Sequence, residues 1–235
     1  MNNGRKTHPG KPIIYDMKIL VTGATGLVGA EVLREAIKDK GIEQAIALTR
    51  RPGPVVDAKI HSITHTDFLD YSGVNLREVD AIIWCLGVSQ SQVNKEQYEV
   101  ITHDYAVAAG KALLLANPAG TFVFLSGTGA DSSEQTNTIF GRVKGKTENS
   151  LRMLNFKRYV IARPGGIRPI HKNPNAPLVN KIFIPFFPLF RLIAPSLVID
   201  SDVLARILIH VARNGSDKEI LENTDLLEIA ERFSL

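Results

Sequence analysis

Short aliphatic runs alternate with amphipathic stretches from about residue 17 to the end of the chain. Aliphatic runs without polar alternation are typical of strands buried on both faces of a parallel sheet. The amphipathic stretches carry apolar residues at helical spacing. We therefore expect an α/β fold with a doubly wound parallel sheet and helices on both of its faces. The predicted strands are 18–21, 44–48, 59–63, 80–87, 121–125, 158–163 and 219–221, and the predicted helices include 94–116, 140–154, 202–213 and 225–233, the last capped by Thr224.

A glycine-rich turn, TGATGLVG at residues 22–29, joins the first strand to the first helix. Gly23 would allow the sharp turn, Gly26 would let backbone N–H groups approach a pyrophosphate, and Gly29 would let the helix pack closely on the sheet. The positive end of that helix would then face the phosphates. In this context the turn predicts a dinucleotide-binding Rossmann fold, with a structural turn that binds no ligand as the alternative.

Length and composition fit one globular domain, residues 17–235, that includes a substrate-side segment at about 165–235. The chain has 235 residues, of which 44% are hydrophobic and 22% charged, as in ordinary globular domains with a sizeable core. Residues 1–16 are polar, contain glycine and proline, and resemble a flexible tail rather than a secretory signal.

Charge and cysteine usage narrow the partners and the compartment. The net charge is only +4, and no basic stripe is interleaved with aromatic residues, so nucleic acid is not expected as a partner. The single cysteine, Cys85, excludes an internal disulfide and fits a reducing compartment. On these grounds we expect a cytoplasmic protein.

The second predicted strand ends at Arg50 and Arg51. In this fold the residue just past that strand meets the adenosine ribose. An acidic residue there would favour NAD, whereas two arginines favour a 2′-phosphate through charge and forked donors. The expected cofactor is therefore NADP (NADPH), with a solvated basic turn as the alternative.

Other candidates lie where later strands end, at the edge where ligands bind in such sheets. Asp67, beside Phe68, could accept a hydrogen bond from the adenine amine, although a plain turn residue is nearly as good an interpretation. Leu86 and Gly87 end the fourth strand, next to Cys85, which we interpret as a small core residue. Ser126 ends the fifth strand, where it could hold a substrate carbonyl or merely close the loop.

Phe140 and Lys144 lie four residues apart on a predicted helix, one turn above the other. This pair is where we expect the chemistry. No metal site is expected, because the chain has neither HExxH nor CxxC and His103 has no second ligand at a suitable spacing.

The segment 181–199, KIFIPFFPLFRLIAPSLVI, is apolar but interrupted by three prolines and an arginine. It is too short and too interrupted to span a bilayer. We interpret it as a flap over the substrate end. A homodimer surface and a peripheral membrane contact are the alternatives.

Taken together, these motifs resemble the atypical short-chain dehydrogenase/reductases. Within them, the chain is most similar to an NAD(P)-binding oxidoreductase group named after a human tumour suppressor. The resemblance covers nearly all of residues 17–235. The matching pieces are CLG at 85–87, DY at 104–105, GAD at 129–131, VKGKTE at 143–148 and ARPGG at 162–166.

The resemblance implies where a bound NADP would lie. It implies that Lys144 reaches the nicotinamide ribose, that Pro164 borders the nicotinamide and that Arg50 and Arg51 lie near the adenosine phosphate. The residues it implies for the cofactor at the glycine turn are Gly23, Thr25, Gly26, Leu27 and Val28.

One position departs from this family. Its active site pairs a Tyr-x-x-x-Lys helix with a serine on the preceding strand, but here the tyrosine position is Phe140. Loss of a general acid costs about a hundred- to ten-thousandfold in rate.

Two hypotheses follow from this departure. One is an oxidoreductase acting on an unidentified small substrate, with its acid supplied by Ser126, Thr128 or water. The other is a catalytically weak or inactive NADPH-binding regulatory protein that acts through a protein partner. A membrane-associated accessory role through the segment 181–199 is a third possibility.

Overall fold

The computed structural model describes residues 16–51, 55–171 and 195–235. Nine strands form within these ranges: β1 Met17–Thr22, β2 Ile42–Thr49, β3 Ile60–Thr64, β4 Ala81–Trp84, β5 Thr121–Leu125, β6 Arg158–Arg163, β7 Gly166–Arg168, β8 Val198–Asp200 and β9 Ile220–Glu222. Seven of them make one parallel sheet in the order β3-β2-β1-β4-β5-β6-β9. Because β1 pairs with both β2 and β4, the strand order reverses at β1, where ligands bind in such sheets. The predicted doubly wound sheet is confirmed.

In the described parts of the chain, six α-helices connect and cover the strands: α1 Leu27–Lys38, α2 Lys95–Glu99, α3 Tyr105–Ala116, α4 Ile139–Met153, α5 Ser201–Asn214 and α6 Asn223–Phe233. A π-helical turn, Val100–Asp104, joins α2 to α3. The single helix predicted over 94–116 is therefore continuous in direction but interrupted by one wider turn. Glu222 and Asp225 cap α6 reciprocally, so the prediction of Thr224 as the cap is wrong.

The sheet has a hydrophobic core on each face. Aliphatic residues of α1 and α5 pack on one side of β1 and β4. The other side contains α3 and a row of buried aromatic rings, in which Trp84 lies 6.4 Å from Phe68 and 6.3 Å from Phe122 between ring centroids. Burial on both faces explains why these strands lack polar alternation.

A two-stranded ribbon of β7 and β8 was not predicted. The ion pair between Arg168 and Asp200 closes it. Residues 195–197 form a 3₁₀ turn that leads into β8, whereas the rest of the predicted flap, 181–194, and the predicted tail, 1–15, lie outside the described residues. Among the residues that are described, no helix is long and apolar enough to cross a membrane.

The glycine turn allows α1 to lie directly on the end of β1. Gly23 has φ +64°, and a methyl carbon placed on it would lie 2.5 Å from the carbonyl oxygen of Cys85. A methyl carbon on Gly29 would lie 2.3 Å from the carbonyl oxygen of Gly23. Both contacts are far inside van der Waals distance, so only glycine fits at either position.

Substituting Gly29→Ala should force α1 away from the turn. We expect a loss of about 1–3 kcal/mol in the free energy of unfolding, as is usual when a close-packed site is overfilled. Gly73→Ala is the matched control, because no atom lies within 4 Å of the added methyl carbon. Urea denaturation measures both variants, and equal stability of the two would contradict this account of the packing.

Candidate cofactor and active site

The glycine turn leaves the amino end of α1 open to an anion. Gly26 is the N-cap residue and gives no side-chain acceptor to the first N–H groups of the helix, which include those of Leu27 and Val28. Helix N-termini need such acceptors, and a phosphate group supplies them. The geometry of Gly23, Thr25 and Gly26 therefore fits a dinucleotide pyrophosphate.

The turn is bound to the end of β4. The Thr22 hydroxyl oxygen accepts hydrogen bonds from the backbone N–H groups of Cys85 and Leu86, each at 3.1 Å. Gly87 follows and is exposed, with open space around its Cα atom. Leu86 and Gly87 thus follow the carboxyl end of β4 next to the glycine turn, and their contact with a cofactor stays a prediction.

Arg50 and Arg51 follow β2, the strand next to β1, and both are exposed. The Thr49 hydroxyl donates to the carbonyl oxygen of Arg51 at 2.5 Å and thereby shapes this turn. No carboxylate in the described parts of the chain forms an ion pair with either guanidinium. The two positive charges are therefore available at the adenosine side of the glycine turn.

The two adjacent candidates Asp67 and Phe68 have different surroundings. The exposed Asp67 accepts a hydrogen bond from the Leu69 backbone N–H at 2.9 Å, the pattern of a turn residue; its contact with adenine stays a prediction. The Phe68 side chain is buried and stacks on Tyr105, with 5.6 Å between ring centroids. Any contact of Phe68 with a cofactor is thus limited to its backbone.

Ser126 is the largest departure from the expected site. Its hydroxyl is buried and donates to Oε1 of Glu148 at 2.5 Å. The same carboxylate accepts two hydrogen bonds from Arg163, from Nε at 3.0 Å and from Nη2 at 2.5 Å. Ser126 therefore closes a network inside the protein instead of presenting its hydroxyl to a substrate.

The network of Glu148 and Arg163 connects four parts of the structure. Glu148 lies on α4 with no exposed surface, and Arg163, 11% exposed, ends β6. Arg163 also donates to the Ser132 hydroxyl at 2.7 Å and to Glu222 at 3.0 Å. The hydrogen bonds to Glu148 raise the pKa of the Arg163 guanidinium further, so the charge of Arg163 is retained.

Glu148 and Arg163 lie within two of the motifs that carry the family resemblance, but no role was predicted for either from the sequence. One signal was available. Val143, Thr147 and Leu151 share a buried face of α4 with Lys144 and Glu148. Two charged residues on a buried helix face need hydrogen-bonding partners. An arginine at the end of a strand can be that partner for the glutamate.

Lys144 is buried beside this network. Its Nζ donates to the carbonyl oxygen of Leu125 at 2.9 Å and lies 4.6 Å from the centroid of the Phe124 ring. An ammonium group has three donors, and this carbonyl is its one hydrogen-bond acceptor among the described residues. A bound molecule with hydroxyl oxygens, such as a ribose, would fit the remaining donors.

Burial lowers the pKa of Lys144 to about 8, against the opposing attraction of Glu148 and Cys85. Burial also raises the pKa of the nearby Cys85 thiol to about 12. Cys85 is therefore protonated at neutral pH, as expected for a small core residue rather than a nucleophile.

Phe140 occupies the first turn of α4, and its ring lies against Gly127. The ring atom Cζ, where a tyrosine would carry its hydroxyl, is 3.1 Å from the position of a methyl carbon on Gly127. Thr128 follows and is exposed, and its hydroxyl donates to the Arg163 carbonyl oxygen over a long 3.3 Å. Thr128 is thus a more accessible hydroxyl than Ser126 at this edge.

Pro164 closes the other side of the site. Its carbonyl oxygen accepts a hydrogen bond from the Thr128 backbone N–H at 2.9 Å, and the next residue, Gly165, donates to the Asn223 side chain at 2.8 Å. These bonds hold the loop after β6 against the loop after β5. Pro164 thus lies in a loop that is fixed at the carboxyl edge of the sheet, and its contact with the nicotinamide stays a prediction.

His103 contacts Asp104 at 2.6 Å and Ser150 at 2.9 Å through its two ring nitrogens. This places it at the contact between the π-helical turn and α4. In the ranges that the structure describes, no group of three or more His, Cys, Asp or Glu side chains is arranged to hold a metal ion.

Comparison with known proteins identifies the family. A sequence model of the NAD dependent epimerase/dehydratase family matches residues 19–149, more than half of the chain. The chain belongs to this family. The match begins in β1 and ends in α4, so it includes the glycine turn, the strand ends and Lys144. The resemblance to atypical short-chain dehydrogenase/reductases is thereby confirmed.

Epimerase/dehydratase relatives include fungal proteins named FMP52, mitochondrial. The protein from Debaryomyces hansenii is 30% identical over 71% of this chain and 74% of its own length. The protein from Eremothecium gossypii is 31% identical over 63% of this chain, and the alignment spans 66% of that relative, just under two thirds. Both are named mitochondrial, so the expectation of a cytoplasmic protein, which rested on the single cysteine and the lack of a secretory signal, is wrong.

Solved structures confirm the fold of this epimerase/dehydratase chain. The Bordetella bronchiseptica enzyme WbmF in complex with NAD⁺ has a TM-score of 0.69 and 14% identity, over 93% of this chain and 78% of that one. At this identity the likeness concerns the Rossmann fold alone.

Removing the Glu148 carboxylate should destabilise the fold strongly. Glu148→Ala leaves the Arg163 charge buried without its main partner, and such losses cost about 3–5 kcal/mol. Glu219→Ala is the control, because it removes an exposed ion pair of similar length, 2.6 Å to Arg152, which should cost about 1 kcal/mol or less. Urea denaturation compares the two, and similar losses would show that the buried network is unimportant.

Lys144 should make stability depend on pH. Its pKa of about 8 in the folded protein lies below the ordinary value of 10.5, so the unfolded chain binds more protons between these values and stability from this group rises with pH there. At pH 7 the buried charge opposes folding, and Lys144→Met should be about 1–3 kcal/mol more stable than the wild type.

That advantage should shrink when both proteins are compared by urea denaturation at pH 10. Lys111→Met, at an exposed position of α3, controls for general effects of removing a lysine. A gain for Lys144→Met that is the same at both pH values would contradict the assignment.

Proposed function

We propose that this protein binds NADP(H) and acts as an oxidoreductase on a small substrate. The observation that carries the proposal is the open amino end of α1 above the Gly23 turn, which lies at the reversal point of the sheet. Buried Lys144, whose three donors have one acceptor among the described residues, supports a ligand at the other end of the crevice.

Different residues would contact different parts of the cofactor. Gly23 to Val28 would bind the pyrophosphate through backbone N–H groups. Lys144 would donate to the nicotinamide ribose, while Leu86, Gly87 and Pro164 would border the nicotinamide. A nicotinamide cofactor, when bound, supplies or accepts a hydride.

The preference for NADP over NAD rests on Arg50 and Arg51. Both are exposed, and neither has a carboxylate partner in the described structure. A 2′-phosphate would offer the two guanidinium groups a charged, forked acceptor. The 2′-hydroxyl of NAD offers no such partner.

The contribution of hydroxyl groups to the reaction is revised from the sequence-based expectation. Ser126 is occupied by Glu148, so we assign it a positioning role in the buried network. Thr128 is the exposed hydroxyl beside Phe140, and we assign it the contact with the substrate.

An NADPH-binding regulatory protein is the second candidate. Phe140 is the observation that favours it, because phenylalanine removes the usual proton donor. The two candidates share the cofactor site and differ in whether bound cofactor is turned over.

Replacing both arginines tests the cofactor assignment. Arg50→Ser with Arg51→Ser should weaken NADPH binding by about 10- to 100-fold, the usual effect of losing charge-assisted hydrogen bonds, and should leave NADH binding nearly unchanged. Isothermal titration calorimetry with each nucleotide measures both affinities.

Arg77→Ser is the control, since this exposed arginine precedes β4 and lies toward the opposite edge of the sheet. Equal NADPH affinity in the double variant and the wild type would refute the NADP assignment. Failure of the wild type to bind either nucleotide would refute the proposed function.

A further inference from the structure

Among the residues that the structure describes, no side chain at the edge around Phe140 is poised to deliver a proton to a substrate oxygen. Ser126 donates inward to Glu148, and Phe140 has no hydroxyl. Lys144 is buried and donates to the Leu125 carbonyl oxygen, and the proposed function assigns its remaining donors to the nicotinamide ribose rather than to the substrate. Thr128 is accessible, but a threonine hydroxyl does not ionise near neutral pH.

Without a proton donor, the site suits substrates whose oxygen becomes only a weak base when hydride is added. Hydride addition to a simple aldehyde or ketone produces an alkoxide, which is about as basic as hydroxide. That product needs a proton in the transition state. Hydride addition to a quinone produces a phenolate-type anion, whose conjugate acid has a pKa of about 10, like that of the tyrosine phenol. Water alone can protonate it later.

The walls of the site also suit a flat aromatic ring. Phe140 is partly exposed at the start of α4, and Leu86 and Val88 are partly exposed in the loop after β4. Because β4 and β5 are neighbouring parallel strands, these apolar side chains lie toward the same edge. Aromatic rings interact favourably with one another in offset or edge-to-face arrangements.

We propose that the substrate is a quinone, reduced by two electrons to the hydroquinone, at the edge formed by Phe140, Gly127 and Thr128. The proposal rests on the proposed function. In balance, quinone, NADPH and one proton give hydroquinone and NADP⁺. The hydride carries both electrons to the quinone, and solvent supplies the remaining proton, so no residue of the chain has to act as an acid.

The test compares binding and turnover on the full-length protein. NADPH binding is first measured by calorimetry. Binding of menadione to the NADP⁺-saturated protein is then measured by the same method, and NADPH oxidation is followed with menadione and with a matched aromatic aldehyde, 2-naphthaldehyde, against protein-free controls. We expect kcat/KM for menadione to exceed that for the aldehyde by about a hundredfold or more, the usual contribution of a general acid.

Two variants locate the effect at Phe140. Phe140→Leu should weaken menadione binding by about three- to tenfold, the usual value of an aromatic contact, with NADPH affinity retained as evidence of an intact fold. Phe140→Tyr restores a phenol hydroxyl and should shift the preference towards the aldehyde by about tenfold or more.

The outcomes separate the two proposals. If NADPH does not bind, the proposed function itself fails. If NADPH binds but the aldehyde is reduced as efficiently as menadione, the quinone inference is overturned, while the proposed oxidoreductase function stands. If NADPH binds and menadione is neither bound nor reduced, the inference is also overturned and the regulatory alternative gains.

Discussion

The carboxylate of Glu148 has no exposed surface, and the guanidinium of Arg163 supplies the positive charge that it needs. A buried carboxylate without such a partner would be costly, and two hydrogen bonds to one guanidinium provide direction as well as charge. The pair joins α4 to the end of β6, and the Ser126 hydroxyl adds the end of β5. The carboxyl edge of the sheet therefore has one arrangement in which its charges are satisfied.

This constraint determines what the rest of the edge can do. Lys144 lies one helical turn before Glu148, so anchoring Glu148 also directs Lys144 at the Leu125 carbonyl oxygen. The same anchoring uses the Ser126 hydroxyl. The network that fixes Lys144 therefore also occupies the Ser126 hydroxyl, which was one of the groups expected to transfer a proton.

Much of the fold followed from local patterns. Strands at 121–125 and 158–163 were predicted to the residue, because each is a buried run between polar turns. The glycine turn was also predictable, because the residues that determine its shape lie within a stretch of eight. β7 and β8 were missed because three-residue strands have no period of their own. The burial of the Phe68 side chain was not predicted, because an aromatic residue after a strand can line a ligand or a core, and tertiary packing decides. For Ser126 the sequence left two roles open for a similar reason, since its hydrogen-bond partner lies 22 residues away on a helix.

Lys144 shows why the missing tyrosine does not imply a site without function. A buried ammonium opposes folding, which its depressed pKa reflects, and among the described residues one carbonyl satisfies only one of its three donors. If Lys144 had only a structural role, an apolar residue at this position would give a more stable fold. A ligand that accepts the remaining hydrogen bonds explains the cost, and the glycine turn at the other end of the crevice points to the same ligand. Under the proposed function, with Phe140 beside the cofactor, hydride transfer would be to an acceptor that needs no acid from the protein.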